Sequence, residues 1–241
     1  MEAKAKVCLA LDVDSLQTAK KLVSKLAPYV GVFKIGLQLF IKEGPKAVKA
    51  VQDLGGKVFL DLKLHDIPHT VSGAGRAIAA LGVDIFDLHA TGGLPMMKEA
   101  VRAVEEETER RGIKKPLILG VTVLTSIDET ILKNELQTDL PLTSYVRHLA
   151  ILTKQARLNG VVASPQEIRL IREACGKKFV ILTPGIRPTW AATASDQRRV
   201  MTPKEAFDAG ADFIVLGRPI LQAKDPIVAA RRVIEEIEGN Q

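Results

Sequence analysis

Eight short apolar runs alternate along this sequence with longer segments of helical period, and this alternation limits the possible folds more than any other feature. The apolar runs span residues 7–12, 32–36, 58–63, 85–89, 117–121, 160–163, 179–183 and 213–216. Helix starts are marked where a capping side chain precedes proline, at Ser164-Pro165, Thr202-Pro203 and Asp225-Pro226. Strands that alternate with helices form a parallel sheet, and a count of eight favours its closure. We therefore predict an α/β protein with a single (β/α)8 TIM-barrel domain over residues 1–241.

The main alternative fold is an open, doubly wound sheet of the dinucleotide-binding type. That fold carries the motif Gly-x-Gly-x-x-Gly after its first strand, and no such motif follows residues 7–12. A length of 241 residues is also usual for one closed barrel. The closed barrel is therefore the favoured prediction.

The composition excludes several classes of function. The net charge is +6, but Lys and Arg are scattered and aromatic residues make up only 4% of the chain. We therefore expect a small anionic ligand and no nucleic-acid partner. No apolar run approaches the ~20 residues that a membrane span requires, so we expect no membrane partner. Cys8 and Cys175 form no disulfide framework and the N-terminus does not resemble an export signal, which predicts a cytoplasmic protein.

Polar side chains gather at the ends of the predicted strands. In barrels of this kind the active site lies at the C-terminal ends of the strands. Charged groups placed there without partners would be costly, so they require ion pairs or a charged ligand. The polar residues at or just after these ends are Asp12, Lys34, Asp61, Lys63, Asp66, His89, Thr125, Ser126, Arg187 and Arg218.

The third strand carries the densest group of charges, in residues 61–66 (DLKLHD). Asp61 and Lys63 stand two positions apart, so in a strand they project from the same face. Ion pairs are common at the ends of elements and usually contribute little, but here charges recur on three neighbouring strand ends, which favours a functional role. A lysine held between carboxylates stays protonated, and we predict that Lys63 acts as a general acid and not as a Schiff-base nucleophile.

A metal site is the alternative use of this region. His65 and His69 lie four residues apart, but a catalytic zinc needs three protein ligands. Asp66 or His89 could supply the third ligand, yet the helix begins only at Pro68, between the two histidines. We expect no metal and interpret His89 as a wall residue of the cavity.

Glycine and arginine follow the last two predicted strands, with Gly185 and Arg187 after the seventh and Gly217 and Arg218 after the eighth. In such barrels these two loops often bind phosphate, because glycine lets backbone N–H groups approach the oxygens and arginine offers a planar fork. We predict a phosphate site here. The polar segment 188–199 between them is interpreted as a lid, with a disordered insertion as the alternative.

Taken in order, these motifs resemble the orotidine 5′-monophosphate (OMP) decarboxylase family. The resemblance covers nearly the whole chain, and its longest motif is residues 61–70 (DLKLHDIPHT). Asp-x-Lys-x-x-Asp alone is shared with sister barrels, but the full set in this order is highly specific. The other matching motifs are residues 9–12 (LALD), 33–36 (FKIG), 123–126 (VLTS), 183–187 (TPGIR), 196–197 (DQ) and 217–220 (GRPI).

The resemblance implies a carboxy-lyase, free of cofactor and metal, that converts OMP to UMP and CO2 in pyrimidine biosynthesis. It also implies a homodimer in which Asp66, Ile67 and Thr70 reach the active site of the neighbouring subunit. Lys63 resembles the proton donor to C6, and Lys34, Asp61 and Asp66 complete an alternating charge network. The implied substrate contacts are Asp12 and Lys34 for the ribose hydroxyls, Thr125 and Ser126 for the pyrimidine, Arg187, Gly217 and Arg218 for the phosphate, and Gln197 between phosphate and base.

Two other functions stay open. A sister barrel could be a metal-dependent sugar-phosphate lyase that works through an enediolate, and it would need a further carboxylate to bind magnesium. A nucleotide-binding protein without catalytic activity would keep the phosphate loops but would have no use for Lys63.

Overall fold

The computed structural model describes residues 2–191 and 201–239. All its strand pairs are parallel, each strand pairs with its neighbours in sequence, and β1 also pairs with β8, so the sheet is a closed barrel. The prediction of a (β/α)8 barrel is confirmed, with strand ends within two residues of those predicted. The strands are β1 (Val7–Ala10), β2 (Val32–Gly36), β3 (Val58–Leu64), β4 (Ile85–His89), β5 (Leu117–Val121), β6 (Gly160–Val162), β7 (Val180–Thr183) and β8 (Phe213–Leu216).

Helices follow the strands in the sequence and surround the barrel. None of the helices in the described ranges has both the length and the apolar character needed to cross a lipid bilayer. The helices are α1 (Leu16–Leu26), α2 (Leu37–Glu43), α3 (Pro45–Gln52), α4 (Pro68–Ala80), α5 (Gly93–Arg111), α6 (Glu129–Asn134), α7 (Leu142–Gln155), α8 (Ile168–Cys175), α9 (Pro203–Ala209), α10 (Arg218–Leu221) and α11 (Pro226–Glu238).

The predicted helix starts are largely confirmed. Thr202 and Glu205 form a capping box at the start of α9, and the Asp225 side chain caps α11. Ser164 behaves differently, because its hydroxyl accepts from the N–H of Gln166 and so begins a single 3-10 turn ahead of α8. Each cap ends a loop at a defined point, which sets where the following helix starts to pack on the sheet.

Two apolar clusters form the core, one on each face of the sheet. Since side chains alternate along a strand, one set fills the barrel interior and the other packs against the helices. The outer cluster contains large fully buried side chains such as Leu9, Phe33 and Phe86. The interior cluster comprises Cys8, Ala10, Val32, Phe59, Ile85, Leu119, Val121, Val162, Leu182 and Val215.

Two strand glycines mark places where the barrel wall packs closely. A Cβ at Gly160 in β6 would lie 2.0 Å from the carbonyl oxygen of Val180 in β7. A Cβ at Gly120 in β5 would lie 2.6 Å from the hydroxyl oxygen of Thr153 in α7. The first neighbour is the backbone of a strand that is hydrogen-bonded to β6, whereas the second is a side chain on a helix, which a small shift of α7 can move away. Space therefore requires glycine at position 160.

We predict that Gly160→Ala lowers the free energy of unfolding by about 3 kcal/mol, because the added methyl group would force β6 and β7 apart. The matched change Gly120→Ala should cost about 1 kcal/mol, because Thr153 can give way. Urea unfolding of both variants and the wild type measures the difference. Equal losses at the two positions would contradict the assignment of the β7 backbone as the obstacle.

Candidate active site

Four charged residues from the first three strands form a row across the mouth of the barrel, in the order Asp12, Lys34, Asp61 and Lys63. The ammonium nitrogen of Lys34 lies 3.1 Å from Oδ2 of Asp61 and 3.3 Å from Oδ1 of Asp12. The ammonium group of Lys63 donates to Oδ1 of Asp61. Charges of opposite sign thus alternate along this charge row, and the carboxylate of Asp61 is bound by a lysine on each side.

An irregularity in β3 brings Lys63 into the charge row. The pairing of β3 with β4 shifts between Leu60 and Leu64, whose partners in β4 are only two positions apart. Lys63 has a φ of 51° within this bulge, a left-handed conformation that non-glycine residues adopt rarely. The side chains of Asp61 and Lys63 meet, as the alternation of a strand predicts. The reason differs, however, because the bulge and not a regular extended strand turns Lys63 toward the row.

Asp87 in β4 supports this bulge, and the sequence motifs did not point to it. The backbone N–H of Lys63 donates to Oδ1 of Asp87 at 2.8 Å, and Asp87 has no exposed surface. The signal in the sequence was a carboxylate in the middle of the apolar run of β4, where an ionisable residue is rare unless it is paired.

The ionisation of the row follows from burial and from its neighbours. Burial alone would raise the pKa of Asp61, but the positive charges of Lys34 and Lys63 outweigh it and lower that pKa to about 2. Burial would lower the pKa of Lys34, yet the charges of Asp61 and Asp12 outweigh it and raise that pKa. Burial, together with the charge of Asp61, raises the pKa of Asp87 well above its ordinary value. Asp61 is therefore ionised, and Asp87 is the weaker acid of the two.

A cavity of about 330 Å³ opens at the mouth of the barrel, within the range usual for small-molecule sites. Its floor is apolar and includes Phe59, Val121 and Leu182 of the interior cluster. Polar groups from several strand ends converge above this floor, so the cavity can hold a charged ligand of nucleotide size. The predicted residues that line it are Asp12, Lys34, Asp61, Lys63, Thr125, Ser126, Arg187, Gly217 and Arg218.

The loops after β7 and β8 bring two arginines to the same cavity. Gly185 has a φ of 78°, so the turn between β7 and Arg187 needs a residue that tolerates the left-handed region. Gly217 follows β8 and directly precedes Arg218 at the start of α10. Two guanidinium groups at one rim create a positive potential that favours a dianion such as phosphate.

Contacts within the described ranges hold the chain on both sides of residues 192–200. The backbone N–H of Thr189 donates to the carboxylate of Glu236 in α11, at 3.3 Å to Oε2, and Arg232 stacks on the ring of Trp190 at 4.7 Å from its centroid. On the other side, the carbonyl oxygen of Met201 accepts from the segment that follows β7. Trp190, for which the motifs offered no role, therefore anchors the chain to α11.

Three predicted site residues are not among the described residues that line the cavity of this chain. Asp66, Ile67 and Thr70 follow β3 and are exposed, with Ile67 66% accessible and its N–H bonded to Oδ1 of Asp66 at 2.6 Å. Gln197 lies outside the described residues. The roles expected for these four stay predictions.

The histidines considered as metal ligands form a ring contact. The rings of His65 and His89 lie 5.3 Å apart between centroids. Burial lowers the pKa of His89, and the charges of His65 and Lys63 act in the same direction. Across residues 2–191 and 201–239, no three His, Cys, Asp or Glu side chains stand close enough to hold a metal ion.

Comparison with known proteins gives a consistent result. Residues 5–233 match the model of the family described as orotidine 5′-phosphate decarboxylase / HUMPS. The chain is 51% identical over 238 residues to the orotidine 5′-phosphate decarboxylase of Moorella thermoacetica, covering 99% of this chain and 94% of that protein. It is 48% identical over 239 residues to the enzyme of the same name from Syntrophomonas wolfei, covering 99% and 100%.

Solved structures with the same name share the fold over nearly the full length. The crystal structure of orotidine 5′-phosphate decarboxylase from Lactobacillus acidophilus has a TM-score of 0.84 at 38% identity, covering 96% of this chain and 98% of that one. The corresponding structure from Pyrococcus horikoshii OT3 has a TM-score of 0.75 at 26% identity, covering 97% and 99%.

We predict that Lys34→Met raises the pKa of Asp61 from about 2 by at least about one unit, because it removes the charge that most strongly offsets burial. Lys49→Met, a matched change at an exposed lysine of α3, should leave that pKa in place. Carbon NMR of labelled aspartate carboxyls through an acid titration measures both. An unchanged Asp61 pKa in Lys34→Met would refute the assigned role of Lys34.

The same variant carries a consequence for stability. The pKa of Asp61 in the folded protein lies below its ordinary value of 3.8. The ionised Asp61 carboxylate therefore stabilises the fold above pH 3.8, and this stabilisation is lost as the pH falls toward 2. The wild type should therefore lose more free energy of unfolding than Lys34→Met across this interval.

Proposed function

The chain belongs to the orotidine 5′-phosphate decarboxylase / HUMPS family, and on this basis we propose that it is the carboxy-lyase that converts OMP to UMP and CO2 in pyrimidine biosynthesis. The observation that carries the proposal is the alternating charge row, which shares one cavity with two arginines. Relatives that are about 50% identical to this chain over nearly its whole length are named for this activity.

The reaction requires a strong source of positive charge at one carbon atom. When the bond from C6 to the carboxylate breaks, its electron pair stays on C6, and the pyrimidine ring has no position that can accept it. The catalysed reaction therefore needs stabilisation near the upper end of the usual range, ~20 kcal/mol. In the proposed mechanism the ammonium group of Lys63 stabilises the developing carbanion and then donates its proton to form the C6–H bond.

Asp61 makes a second, smaller contribution. Its carboxylate would stand near the carboxylate of the substrate, and two such charges about 4 Å apart at an effective dielectric of about 20 repel by about 4 kcal/mol. This repulsion is too small to account for the rate alone. Its more important role is to hold the ammonium groups of Lys34 and Lys63 in position before the substrate arrives.

Binding energy from the phosphate supports the chemistry from a distance. A dianion held by arginine forks and a glycine backbone binds away from C6, and that energy can be used to orient the reacting carbon. The proposed contacts are Arg187, Gly217 and Arg218 to the phosphate, Asp12 and Lys34 to the ribose hydroxyls, Thr125 and Ser126 to the pyrimidine, and Gln197 between phosphate and base.

We propose that the reaction uses neither a metal nor a cofactor. A sister sugar-phosphate lyase depends on magnesium to stabilise an enediolate, whereas here Lys63 supplies the positive charge at the reacting carbon. The donor set of the cavity fits this use, because Asp61 is already bound to two ammonium groups. Activity in the presence of a chelator separates the two lyases.

We also propose that the active unit is a homodimer, with Asp66, Ile67 and Thr70 reaching the neighbouring site. Ile67 lies in the loop after β3 and is 66% accessible, and Leu37 and Ile41 lie in α2, after β2, and are 50% and 78% accessible. These apolar side chains follow two adjacent strands at the end of the barrel that carries the cavity, where association would remove them from water.

A cytoplasmic location is proposed from the state of the cysteines. Cys8 and Cys175 are both free and buried. Burial raises the pKa of each thiol, so neither is a reactive thiolate. Paired cysteines would be expected of a protein that folds in an oxidising compartment.

We expect Lys63→Ala to lower OMP turnover by at least roughly 10³-fold, because it removes both the proton donor and the charge at C6. Binding of UMP should stay within about tenfold of wild type, because the phosphate contacts remain. An ultraviolet assay of OMP consumption, run with EDTA, and calorimetry with UMP measure the two effects. Lys49→Ala on exposed α3 is the control.

The outcomes separate the candidate functions. Turnover of OMP by Lys63→Ala at the wild-type rate would contradict the mechanism. Loss of wild-type activity in EDTA would favour the metal-dependent lyase. UMP binding by a wild type that does not consume OMP would favour a nucleotide-binding protein.

A mixing experiment tests the proposed dimer. Lys63→Ala and Asp66→Ala should each be inactive alone, but their mixed dimer has one site with both native residues. Random reassociation makes half the dimers mixed, with one of two sites intact, so about a quarter of wild-type activity should return. No recovery, in mixtures shown to exchange subunits, would mean that Asp66 acts within its own chain, whereas an active Asp66→Ala variant would mean that Asp66 has no role.

A further inference from the structure

We propose that Asp87 is a positioning residue, a neutral carboxylic acid buried beneath the charge row that holds Lys63 and Asp61 in the arrangement needed for proton transfer. The inference rests on the proposed function and extends it to a residue that lies below the cavity and does not touch the substrate. Two observations support it: one oxygen of the Asp87 carboxyl group accepts a backbone hydrogen bond, and the other is buried with no donor among the described residues.

The first contact replaces a missing backbone bond. In the bulge of β3, the backbone N–H of Lys63 donates to the Asp87 side chain at 2.8 Å. Asp87 is 0% exposed, so no bulk water can take over as acceptor. A buried N–H without a partner costs roughly 1–3 kcal/mol. The Asp87 oxygen thereby stabilises the left-handed backbone of Lys63 and, with it, the direction of the ammonium group.

The second oxygen of Asp87 faces the Asp61 carboxylate, and a hydrogen bond between the two groups requires a proton on one of them. Oδ2 of Asp87 is buried, and no N–H or hydroxyl donor in the described part of the chain reaches it. The negative charge of Asp61 acts on Asp87 and raises its pKa, and two ionised carboxylates cannot share a hydrogen bond because both are acceptors. Asp61 is bound by Lys34 and Lys63, whereas Asp87 is the more deeply buried acid. We therefore place the proton on Asp87, where it would let the unpartnered Oδ2 donate toward Asp61.

Neutrality of Asp87 matters for the charge balance of the row. Asp12, Lys34, Asp61 and Lys63 carry two charges of each sign. The charged groups that face Asp87 are Asp61 and Lys63, both from β3, while its partner in β5 is the apolar Leu119. An ionised Asp87 would add a third negative charge below the row and draw the Lys63 ammonium group away from the cavity. A neutral acid supplies both hydrogen bonds without this competing attraction.

Asparagine reproduces both contacts of a neutral acid at this position. Its carbonyl oxygen can accept from the N–H of Lys63, and its amide nitrogen can donate to Asp61. An apolar side chain of similar size reproduces neither contact. The pair Asp87→Asn and Asp87→Val therefore distinguishes hydrogen bonding from charge.

We expect Asp87→Val to lower kcat by roughly 10²-fold, the cost of misplacing a reacting group by about an ångström. Asp87→Asn should restore kcat to within about tenfold of wild type, and the affinity of both variants for UMP should stay within about threefold. Steady-state kinetics with OMP and calorimetry with UMP measure these values. Thr153→Val, which removes a buried hydroxyl in α7 that bonds the carbonyl of Leu149, controls for loss of a buried polar group. Asp87→Ala serves if the valine variant does not fold.

Either of two kinetic results overturns the proposal. If Asp87→Asn loses as much kcat as Asp87→Val, the charge of an ionised carboxylate is what matters. If the apolar variants keep wild-type kcat and lose only stability, Asp87 has a purely structural role.

An infrared measurement tests the proposal independently of OMP turnover. The difference spectrum of wild type against Asp87→Asn at neutral pH should contain the carbonyl stretch of a protonated carboxylic acid. Its absence overturns the proposal even if the enzyme decarboxylates OMP. Its presence in a protein that does not consume OMP would instead retain the buried acid and reject the proposed function.

Discussion

The carboxylate of Asp61, bound between two lysines at the mouth of the barrel, is the interaction on which the rest of the site depends. Burial opposes its charge, and the ammonium groups of Lys34 and Lys63 are the main groups that make ionisation favourable. The same carboxylate keeps Lys34 charged although that lysine is itself largely buried. Each charge in the row is therefore stabilised by its neighbours, and removal of one leaves the others with an uncompensated cost of burial.

The closed parallel sheet explains how such a row can form. All strands end at the same rim, so Asp12, Lys34 and Asp61 become neighbours although about 50 residues separate the first from the last. The rigid wall beneath them, with its packed interior cluster, limits rearrangement of the charges. The bulge in β3 turns Lys63 toward Asp61, and it leaves the backbone N–H of Lys63 free of the ladder to donate to Asp87.

Much of this could be predicted from local patterns. The period of the apolar runs identified every strand, and the capping box of Thr202 and Glu205 was visible as a motif. The rule that barrel sites lie at strand ends selected eight residues that line the cavity. The strand-end rule did not select Asp87, because this residue lies two positions before the end of β4 and below the cavity. A carboxylate at that depth is stable only through partners on another strand.

By itself the sequence determined the parallel barrel and the list of charged groups at its rim, because hydrophobic period and strand-end position are local properties of the chain. Tertiary structure decided which of those groups meet, which are ionised and how Lys63 is aimed. These outcomes depend on distances between strands, on burial and on a bulge that alternation cannot reveal. The same residue type, aspartate, has a lowered pKa at position 61 and a raised pKa at position 87, and only the surroundings of each carboxyl group account for the difference.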